Sequence, residues 1–343
     1  MKARMRQNIS PSQKITIKPV WLIAGGIALA AVAVFAVILL LNLFGTNEPA
    51  AAAARNKYPF DLEDANLRNV NFTVLDTRIN SVFSEVRPLI SADGKTLFFS
   101  RRNHPDNLGR EKDRQDIWFA TLQPDGAWST PANAGPTINT KSMDAICSVS
   151  ADGQEIVFMH EDMSRENQLF RARRDGDGWQ QPVPMIIENY YTKDPYVDFY
   201  YVFSERVLLM AITRQDSHGQ QDLYVSRPIG SNRWSEPVNM GPVVNSKQSD
   251  FAPFLSADSR TLYFASYGHS GLGGCDIFQS TRLDDTWLHW SKPVNLGEGI
   301  SSQREESYFS ISGDNKHIYF ESYDRKQEVR DIFRADLPVK QRP

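Results

Sequence analysis

The chain of 343 residues repeats one short polar turn together with the β-forming run that follows it, and this repeat constrains its fold more than any other feature. Ser-Ala-Asp-Gly stands at residues 91–94 and 150–153, and related turns stand at residues 256–259 and 312–315. A weaker copy of the turn places Glu205 at the position of Gly94 and Gly153. Successive copies are therefore separated by 59, 52, 54 and 56 residues. A strand-rich repeat of this period predicts a radial array of four-stranded sheets.

We interpret each unit as four strands. An apolar segment leads through the polar turn into a second strand, and a polar loop then leads into a third strand that begins with Asp, an aliphatic residue and an aromatic residue. The fourth segment has Pro three residues after Trp, which favours an edge position in the sheet. The residues that mark the third and fourth segments are Asp116, Asp222, Asp276, Asp331, Trp128, Trp179, Trp234 and Trp290.

The two ends of the repeat region complement each other. The fifth unit reaches its third strand and then stops, whereas residues 69–81 read as a strand that lacks the three before it. Pairing this strand with the last sheet would close the ring and remove an exposed edge. The sequence therefore predicts an all-β fold, a five-bladed β-propeller over residues 69–338, with the N-terminal strand closing the last blade and residues 339–343 as a tail.

A long apolar segment precedes the repeats. Residues 20–44 carry no charge, and 25 apolar residues suffice to cross a bilayer as one transmembrane helix. The cations lie on the N-terminal side, so we expect residues 1–19 in the cytoplasm and the propeller in the periplasm, with residues 45–68 as a linker. The alternative is a signal peptide cleaved near residues 50–54, although 25 residues exceed the usual apolar core of such a peptide.

The charge distribution limits the classes of partner. The chain has 38 Lys and Arg against 41 Asp and Glu, and five of the cations lie in the first 47 residues, which leaves 33 against 41 for the rest. Nucleic acid and anionic lipid surfaces both require a cationic face. An acidic body therefore argues against nucleic acid as the main partner.

The repeat units resemble a known family. The Ser-Ala-Asp-Gly turn, the Asp-Ile-aromatic strand and the Trp-Ser-x-Pro-x-Asn-x-Gly ending at residues 128–135, 234–241 and 290–297 are similar to TolB-type, WD-repeat-like propeller units. Such units accompany OmpA-like domains in bacterial envelope proteins, including some tied to secretion and gliding. The resemblance implies the propeller fold and an envelope setting, but propellers host unrelated activities.

Two groups of residues are candidates for binding. The first is an acid six residues before each first-strand Ser, which could ring the mouth of the central channel or cap a local backbone donor. The second is a set of arginines in the loops between the second and third strands, suited to bidentate pairing at an interface. The candidate binding residues are Glu85, Asp144, Asp250, Glu306, Arg101, Arg102 and Arg325, with Asp194 as a looser counterpart of the acids.

Metal and cofactor sites are not expected. The same loops carry His104, His160, His218 and His269, but one histidine per blade would be scattered around a rim, whereas zinc needs its ligands within about 2.0 to 2.3 Å of one ion. The sequence shows neither a phosphate-binding loop nor a dinucleotide fingerprint. We therefore expect no metal and no cofactor.

The function predicted from the sequence is that of a non-catalytic scaffold anchored in the inner membrane that binds envelope proteins. We expect no enzyme, because the candidate acids repeat symmetrically and catalysis needs unlike environments that separate an acid from a base. The alternative is a propeller that binds or cleaves envelope polysaccharide through carboxylates of different blades.

Overall fold

The computed structural model describes residues 72–336 except residues 113, 161–168, 258 and 315, all within one compact unit, Ala54–Pro343. The predicted cytoplasmic tail, membrane helix, linker and C-terminal tail lie outside the described residues. None of the described residues belongs to a helix with the length and apolar character that a membrane span requires.

The first strand, β1 (Phe72–Val74), belongs to the last of five antiparallel sheets that follow one another in chain order. Two further strands, Ile186–Ile187 and Arg233–Trp234, form a separate parallel pair. Blade 1 contains β2 (Glu85–Ile90), β3 (Thr96–Arg101), β4 (Asp116–Thr121) and β5 (Ala132–Asn133). Blade 2 contains β6 (Asp144–Val149), β7 (Glu155–His160), β8 (Leu169–Asp175), β9 (Gly178–Trp179) and β10 (Val183–Pro184). A two-residue strand, β11 (Ile186–Ile187), leads to blade 3, with β12 (Asp198–Val202), β13 (Val207–Ile212), β14 (Asp222–Ser226), β15 (Arg233–Trp234) and β16 (Val238–Asn239).

The last two blades repeat the pattern. Blade 4 contains β17 (Asp250–Leu255), β18 (Thr261–Ser266), β19 (Asp276–Thr281) and β20 (Val294–Asn295). Blade 5 contains β21 (Glu305–Ile311), β22 (His317–Asp324), β23 (Val329–Asp336) and β1. One 3-10 helix, Arg110–Lys112, interrupts the loop between β3 and β4. The predicted five-bladed, all-β architecture is confirmed.

The first strand of each blade lies at the centre of the ring. β2, β6, β12, β17 and β21 each contact the first strand of the next blade, and β21 contacts β2. The fourth strands of blades 1 to 4 span only two residues each, as expected for segments that contain proline.

Tryptophans at the outer edges pack blades 1, 2 and 3 against the blade before each of them. The indole of Trp128 in blade 1 meets Tyr319 in blade 5, and that of Trp179 in blade 2 meets Phe98 in blade 1, with centroids 6.4 and 6.3 Å apart. Trp234 shares a buried cluster with the strands of blade 2. Large buried aromatic surfaces of this kind dominate the packing energy between sheets.

An asparagine that follows the fourth strand of a blade bonds back to the third strand. The Ile117 N–H donates to Asn139 Oδ1 at 2.9 Å, and Asn139 Nδ2 donates to the Ile117 carbonyl at 3.0 Å. Asn245 makes the same pair of bonds to Leu223. The repeated Ile-Asn and Val-Asn dipeptides thus have a local structural purpose, which is to fasten the inter-blade loop to the sheet.

The same pair of asparagine hydrogen bonds also closes the ring, where the two ends of the propeller meet. β1 pairs with β23 from Phe72↔Ala335 to Val74↔Phe333, as the sequence predicts for this part of residues 69–81. Asn80 Nδ2 donates to the Ile332 carbonyl at 2.9 Å, and the Ile332 N–H donates to Asn80 Oδ1 at 2.8 Å. Blade 5 is therefore completed by residues from both ends.

We expect Asn80→Ala to destabilise the propeller by roughly 1–3 kcal/mol, because it leaves the buried Ile332 N–H without its partner and the Ile332 carbonyl with only the 3.5 Å bond from the Leu75 N–H. Arg78→Ala is the control, since the Arg78 side chain pairs with Asp76 at the surface and surface pairs contribute about 0–1 kcal/mol. The measurement is the free energy of unfolding in urea. Equal losses for the two variants would show that Asn80 does not close the ring.

Candidate ligand site in the central cavity

A cavity of about 870 Å³ opens at one end of the ring. Among the described residues, its walls come from loops between second and third strands and from loops that enter first strands. Pockets for small ligands usually measure about 300–1,000 Å³. The cavity therefore has the size of a ligand site.

Three side chains from different blades meet at the floor of the cavity. Arg87 Nη2 lies 2.5 Å from Asp198 Oδ1, and the Tyr308 hydroxyl donates to the same oxygen at 2.9 Å. The Ala252 N–H donates to Asp198 Oδ2 at 3.1 Å. Asp198 of blade 3 is thus bonded to blades 1, 4 and 5 across the axis of the ring.

Irregular backbone directs these residues to the axis. The pairing of the first and second strands shifts register in blades 1, 4 and 5, between Val86 and Leu89 in the first case. Inside the bulges, Arg87, Ala252 and Tyr308 have φ of 57°, 51° and 50°. This left-handed conformation is uncommon for residues other than glycine, and bulges often re-aim a side chain next to a functional site.

A chain of alternating charges runs from the floor to the mouth. Glu321 accepts from the Arg87 N–H at 2.9 Å and from Arg330 Nη1 at 2.8 Å. Arg330 lies 3.8 Å from Glu305, and Glu305 pairs with Arg325 at the surface at 2.5 Å. Because each charge has an opposite neighbour, the chain adds little net charge to the cavity.

The protonation states of the floor follow from its burial. Burial alone would lower the pKa of Arg87, but Asp198 beside it raises that pKa above its ordinary value. Burial raises the pKa of Tyr308 well above its usual range. Arg87 is therefore a cation, and the Tyr308 hydroxyl keeps the proton that it donates to Asp198.

An aromatic wall faces part of the cavity. The rings of Tyr267 and Phe251 stack with centroids 5.8 Å apart, and the Tyr267 hydroxyl donates to Glu305 Oε2 at 3.3 Å. Tyr196, 71% exposed, lies on the wall formed by blade 3. The cavity thus combines flat apolar surface with polar groups held in place.

The four predicted acids lie elsewhere, at the entrance of the first strands. All four are fully buried, and each accepts a hydrogen bond from a backbone N–H four residues earlier, such as Ser81 N to Glu85 at 3.1 Å and Ser302 N to Glu306 at 3.0 Å. Each also accepts from a second-strand side chain, and the partners of Glu85, Asp144, Asp250 and Glu306 are Arg101, His160, Ser266 and Ser322.

These acids have the capping role that was the alternative to the channel ring. None of the four is among the residues that line the cavity described here, and a direct role in binding stays a prediction. Asp194, the looser counterpart, does line the cavity and accepts from the Tyr196 N–H at 2.9 Å.

The three predicted arginines have different surroundings. Arg101 is buried and donates to Glu85 and to the carbonyls of Arg78 and Ile79, so it is part of the blade itself. Arg102 lies on the cavity wall, and Arg325 is exposed at the mouth beside Glu305.

Two of the loop histidines are held by residues of their own blades. The His104 ring lies between Phe83 and Trp118 with centroids 4.9 Å from each, and His160 Nδ1 lies 2.5 Å from Asp144 Oδ1. Within the described parts of residues 72–336, no three His, Cys, Asp or Glu side chains converge as metal ligands do.

Sequence reasoning missed the residues of the floor and the two acids of the charge chain, Glu305 and Glu321, whereas it named Arg325 at the outer end of that chain. A signal was present, since Arg87, Asp198 and Glu321 place charges in strands whose other residues are mostly buried. These residues are unique to their blades, and a search for residues shared by all blades passes over them.

Comparison with known proteins gives similarity of fold. No protein-family model matches the chain, and a search of curated proteins finds no relative. A solved glycoside hydrolase is 10% identical with a TM-score of 0.53, covering 79% of this chain and 92% of its own. TolB from Acinetobacter baumannii is 13% identical with a TM-score of 0.47, and the match covers 85% of this chain and 68% of the TolB chain. An α-L-arabinofuranosidase from Lactobacillus brevis is 10% identical with a TM-score of 0.47, and the match covers 75% of this chain and 92% of that enzyme.

The prediction that the chain is not an enzyme is wrong as it was argued. A glycoside hydrolase has a similar fold, so the fold is compatible with catalysis. The argument from symmetry also fails, because the acids on the cavity are not the symmetric ones. Asp198 is bonded to Arg87 and Tyr308, whereas Glu321 is bonded to Ser307 and Arg330, so their environments differ.

One of the capping acids predicts a pH dependence of stability. Burial, with a smaller effect of the nearby Asp276 charge, raises the pKa of Glu306 from 4.5 to about 7. Between these values the folded protein binds a proton that the unfolded chain has released, so the contribution of Glu306 to stability is fully present below pH 4.5 and is lost as the pH rises through about 7.

We expect Glu306→Gln to remove this contribution, which amounts to up to roughly 3 kcal/mol. The measurement is the free energy of unfolding at pH 5 and at pH 8. From pH 5 to pH 8, Glu306→Gln should lose less stability than the wild type. Glu298→Gln, which changes an exposed carboxyl, should lose as much as the wild type. If the unfolding free energy of Glu306→Gln changed with pH as much as that of the wild type, the raised pKa of Glu306 would be contradicted.

Proposed function

We propose that the protein binds a carbohydrate in its central cavity. The observation that carries the proposal is the composition of the cavity wall. Among the described lining residues, four arginines face four carboxylates: Arg87, Arg102, Arg114, Arg330, Asp194, Asp198, Glu305 and Glu321. Balanced charge favours a ligand that is rich in polar groups without a large net charge, as many glycans are.

The remaining lining residues suit the same ligand. Gln115, Gln220 and Gln221 supply amide groups, and Tyr267 and Phe251 supply stacked rings. Small-ligand sites combine apolar and aromatic walls with a few fixed polar groups in this way. A sugar ring presents hydroxyls at its edge and apolar C–H groups on its faces, which matches both kinds of wall.

The cavity also holds the groups that cleavage of a glycosidic bond requires. Most glycoside hydrolases use two carboxyl groups in unlike environments on either side of the bond. Asp198, Glu305 and Glu321 supply three on this cavity, with different partners and different exposure. Hydrolysis is therefore part of the proposal and is assayed together with binding.

Docking of an envelope protein on the loop face is a second candidate. The exposed Tyr196 and the exposed Arg325 at the mouth are residue types that protein interfaces favour. Anchoring by residues 20–44 in the inner membrane, with the propeller in the periplasm, stays a prediction from the sequence and would place either ligand in the cell envelope.

We expect the full-length protein to bind specific glycans on an array, and Tyr267→Ala to weaken that binding roughly tenfold or more, because it removes the aromatic wall. Tyr191→Ala is the matched control, since Tyr267 and Tyr191 are 37% and 41% exposed and only Tyr267 lines the cavity. Release of reducing sugar from envelope polysaccharide reports hydrolysis. The proposal fails when no glycan binds, or when both variants bind like the wild type.

The docking candidate has its own test. We expect Arg102→Glu with Arg325→Glu to abolish an in-cell crosslink to an envelope protein, because reversed charge repels a complementary surface. Arg101 is left unchanged because it is buried against Glu85. The control is Arg173→Glu, because the exposed Arg173 side chain lies at the opposite end of blade 2, 3.6 Å from Asp152, where the Arg173 backbone pairs with Glu155. An unchanged crosslinking profile in the double variant would contradict docking at this face.

A further inference from the structure

Blade 1 presents two polar side chains side by side at the central cavity. Arg102 directly follows β3 and Gln115 directly precedes β4, and the last paired residues of these strands are Arg101 and Asp116. One step further along the same antiparallel register, Arg102 and Gln115 stand opposite each other. The Cβ atoms of such a pair are about 4.5–5.5 Å apart on one face of the hairpin. Both residues line the cavity.

Backbone hydrogen bonds fix the position of this pair. The Arg102 N–H donates to the Ser84 carbonyl at 2.9 Å, and the Gln115 carbonyl accepts from the Asp144 N–H at 2.8 Å. These bonds tie the end of the hairpin to the loop that enters β2 on one side and to the start of β6 on the other. The pair is therefore held by the framework of the ring.

Neither side chain uses its polar groups within the described part of the protein. Gln115 is only 5% exposed, yet its side-chain amide has no hydrogen-bond partner among the described residues, and the amide is not enclosed by protein. The half-buried Arg102 guanidinium has neither an ion pair nor a hydrogen bond there. Arg87 and Arg330, by contrast, are each paired with a carboxylate. Arg102 and Gln115 thus leave their polar groups available to a ligand in the cavity.

The corresponding positions of blades 3 and 4 do not offer the same groups. In blade 3 they hold Thr213 and Gln221, and the Gln221 amide donates to two backbone carbonyls at 3.2 and 3.0 Å. In blade 4 they hold Tyr267 and Cys275, which carry no charge at neutral pH. The combination of a guanidinium and an amide therefore distinguishes the wall formed by blade 1 from those formed by blades 3 and 4.

We infer that the glycan in the cavity carries a carboxylate, as a uronic acid does, and that Arg102 and Gln115 select for it. This inference rests on the proposed carbohydrate binding and adds the class of sugar. A guanidinium presents parallel N–H donors that match the two oxygens of a carboxylate, and such charge-assisted bonds are roughly twice as strong as neutral ones. The Gln115 amide has both donors and an acceptor, which suits a hydroxyl beside the carboxylate.

The opposite sign of charge limits how acidic the glycan is. Asp194 on the wall formed by blade 3 also has no ion pair among the described residues. A carboxylate of the protein repels anionic groups of a ligand that lie near it. A glycan with an isolated acidic sugar therefore suits this cavity better than a polyanion does.

The test compares sugars with and without the carboxylate. The probes are trimers of galacturonate, glucuronate and mannuronate and their reduced counterparts, in which a CH2OH group replaces each carboxylate. Calorimetry measures their affinity for the full-length protein, and we expect a uronate trimer to bind roughly tenfold or more tightly than its reduced form. Equal affinities, or binding of neutral glycans alone, would overturn the inference while leaving carbohydrate binding intact. Failure of every glycan to bind, on the array as well, would remove the proposed function too.

A charge-removing variant tests Arg102. We expect Arg102→Gln to lower the affinity for the uronate trimer roughly tenfold and to leave the affinity for the reduced trimer unchanged, because the reduced trimer has no carboxylate to pair with a guanidinium. Arg110→Gln is the control, since Arg110 lies exposed in the same loop and is not among the described residues that line the cavity. An Arg102→Gln variant that still prefers the uronate would overturn the role of Arg102.

A second variant tests whether the two side chains act together. Gln115→Glu places a carboxylate beside Arg102, where it pairs with the guanidinium in place of the ligand. We expect this variant to lose its preference for the uronate and to keep its affinity for the reduced trimer, and thermal unfolding checks that it folds. Retained preference for the uronate in a folded Gln115→Glu variant would show that Arg102 and Gln115 do not form one site.

Discussion

The pairing of the first described strand with the last is the contact on which the rest of the propeller depends. β1 and β23 join the two ends of the propeller, and Asn80 fastens the junction to Ile332. Closing so long a loop costs entropy, but that cost rises only slowly with length. In return, blade 5 gains its outer strand, and the first strands form an unbroken ring around the cavity. An unpaired β23 would also present an open edge to other chains.

Repeated and unique polar residues have different purposes in this ring. Asp116 and Asp222 recur because each accepts from a loop N–H and from the asparagine of the fourth strand. The capping acids recur for a similar reason, which is that every inter-blade loop brings a backbone donor to the start of a first strand. Asp198 and Glu321 occur once each, and both have partners in other blades: Asp198 bonds to Arg87, Ala252 and Tyr308, and Glu321 accepts from the Arg87 backbone N–H.

This difference explains how much could be predicted from the sequence. The blades, their order and the closing strand follow from local signals, such as the Asp-Gly turn before a β-forming run or Trp followed by Pro. The floor depends on contacts between residues more than 100 positions apart, such as Tyr308 and Asp198. It also depends on left-handed bulge residues, and the sequences Val86-Arg87-Pro88 and Ser307-Tyr308-Phe309 contain no glycine that would indicate them. A charge in a buried strand was the available signal, and it became meaningful only once the ring placed it at the centre.

The strained floor is energetically possible because the repeated framework around it is stable. Residues with left-handed φ cost about 1–3 kcal/mol each, so Arg87, Ala252 and Tyr308 together place a considerable strain on the centre of the ring. Such conformations persist only where surrounding contacts determine them, and here Asp198 and Glu321 bind the irregular segments directly. Five blades that satisfy their own backbone groups leave the first strands free to differ from one another. The asymmetry of the cavity thus arises from residues that the repeat does not require.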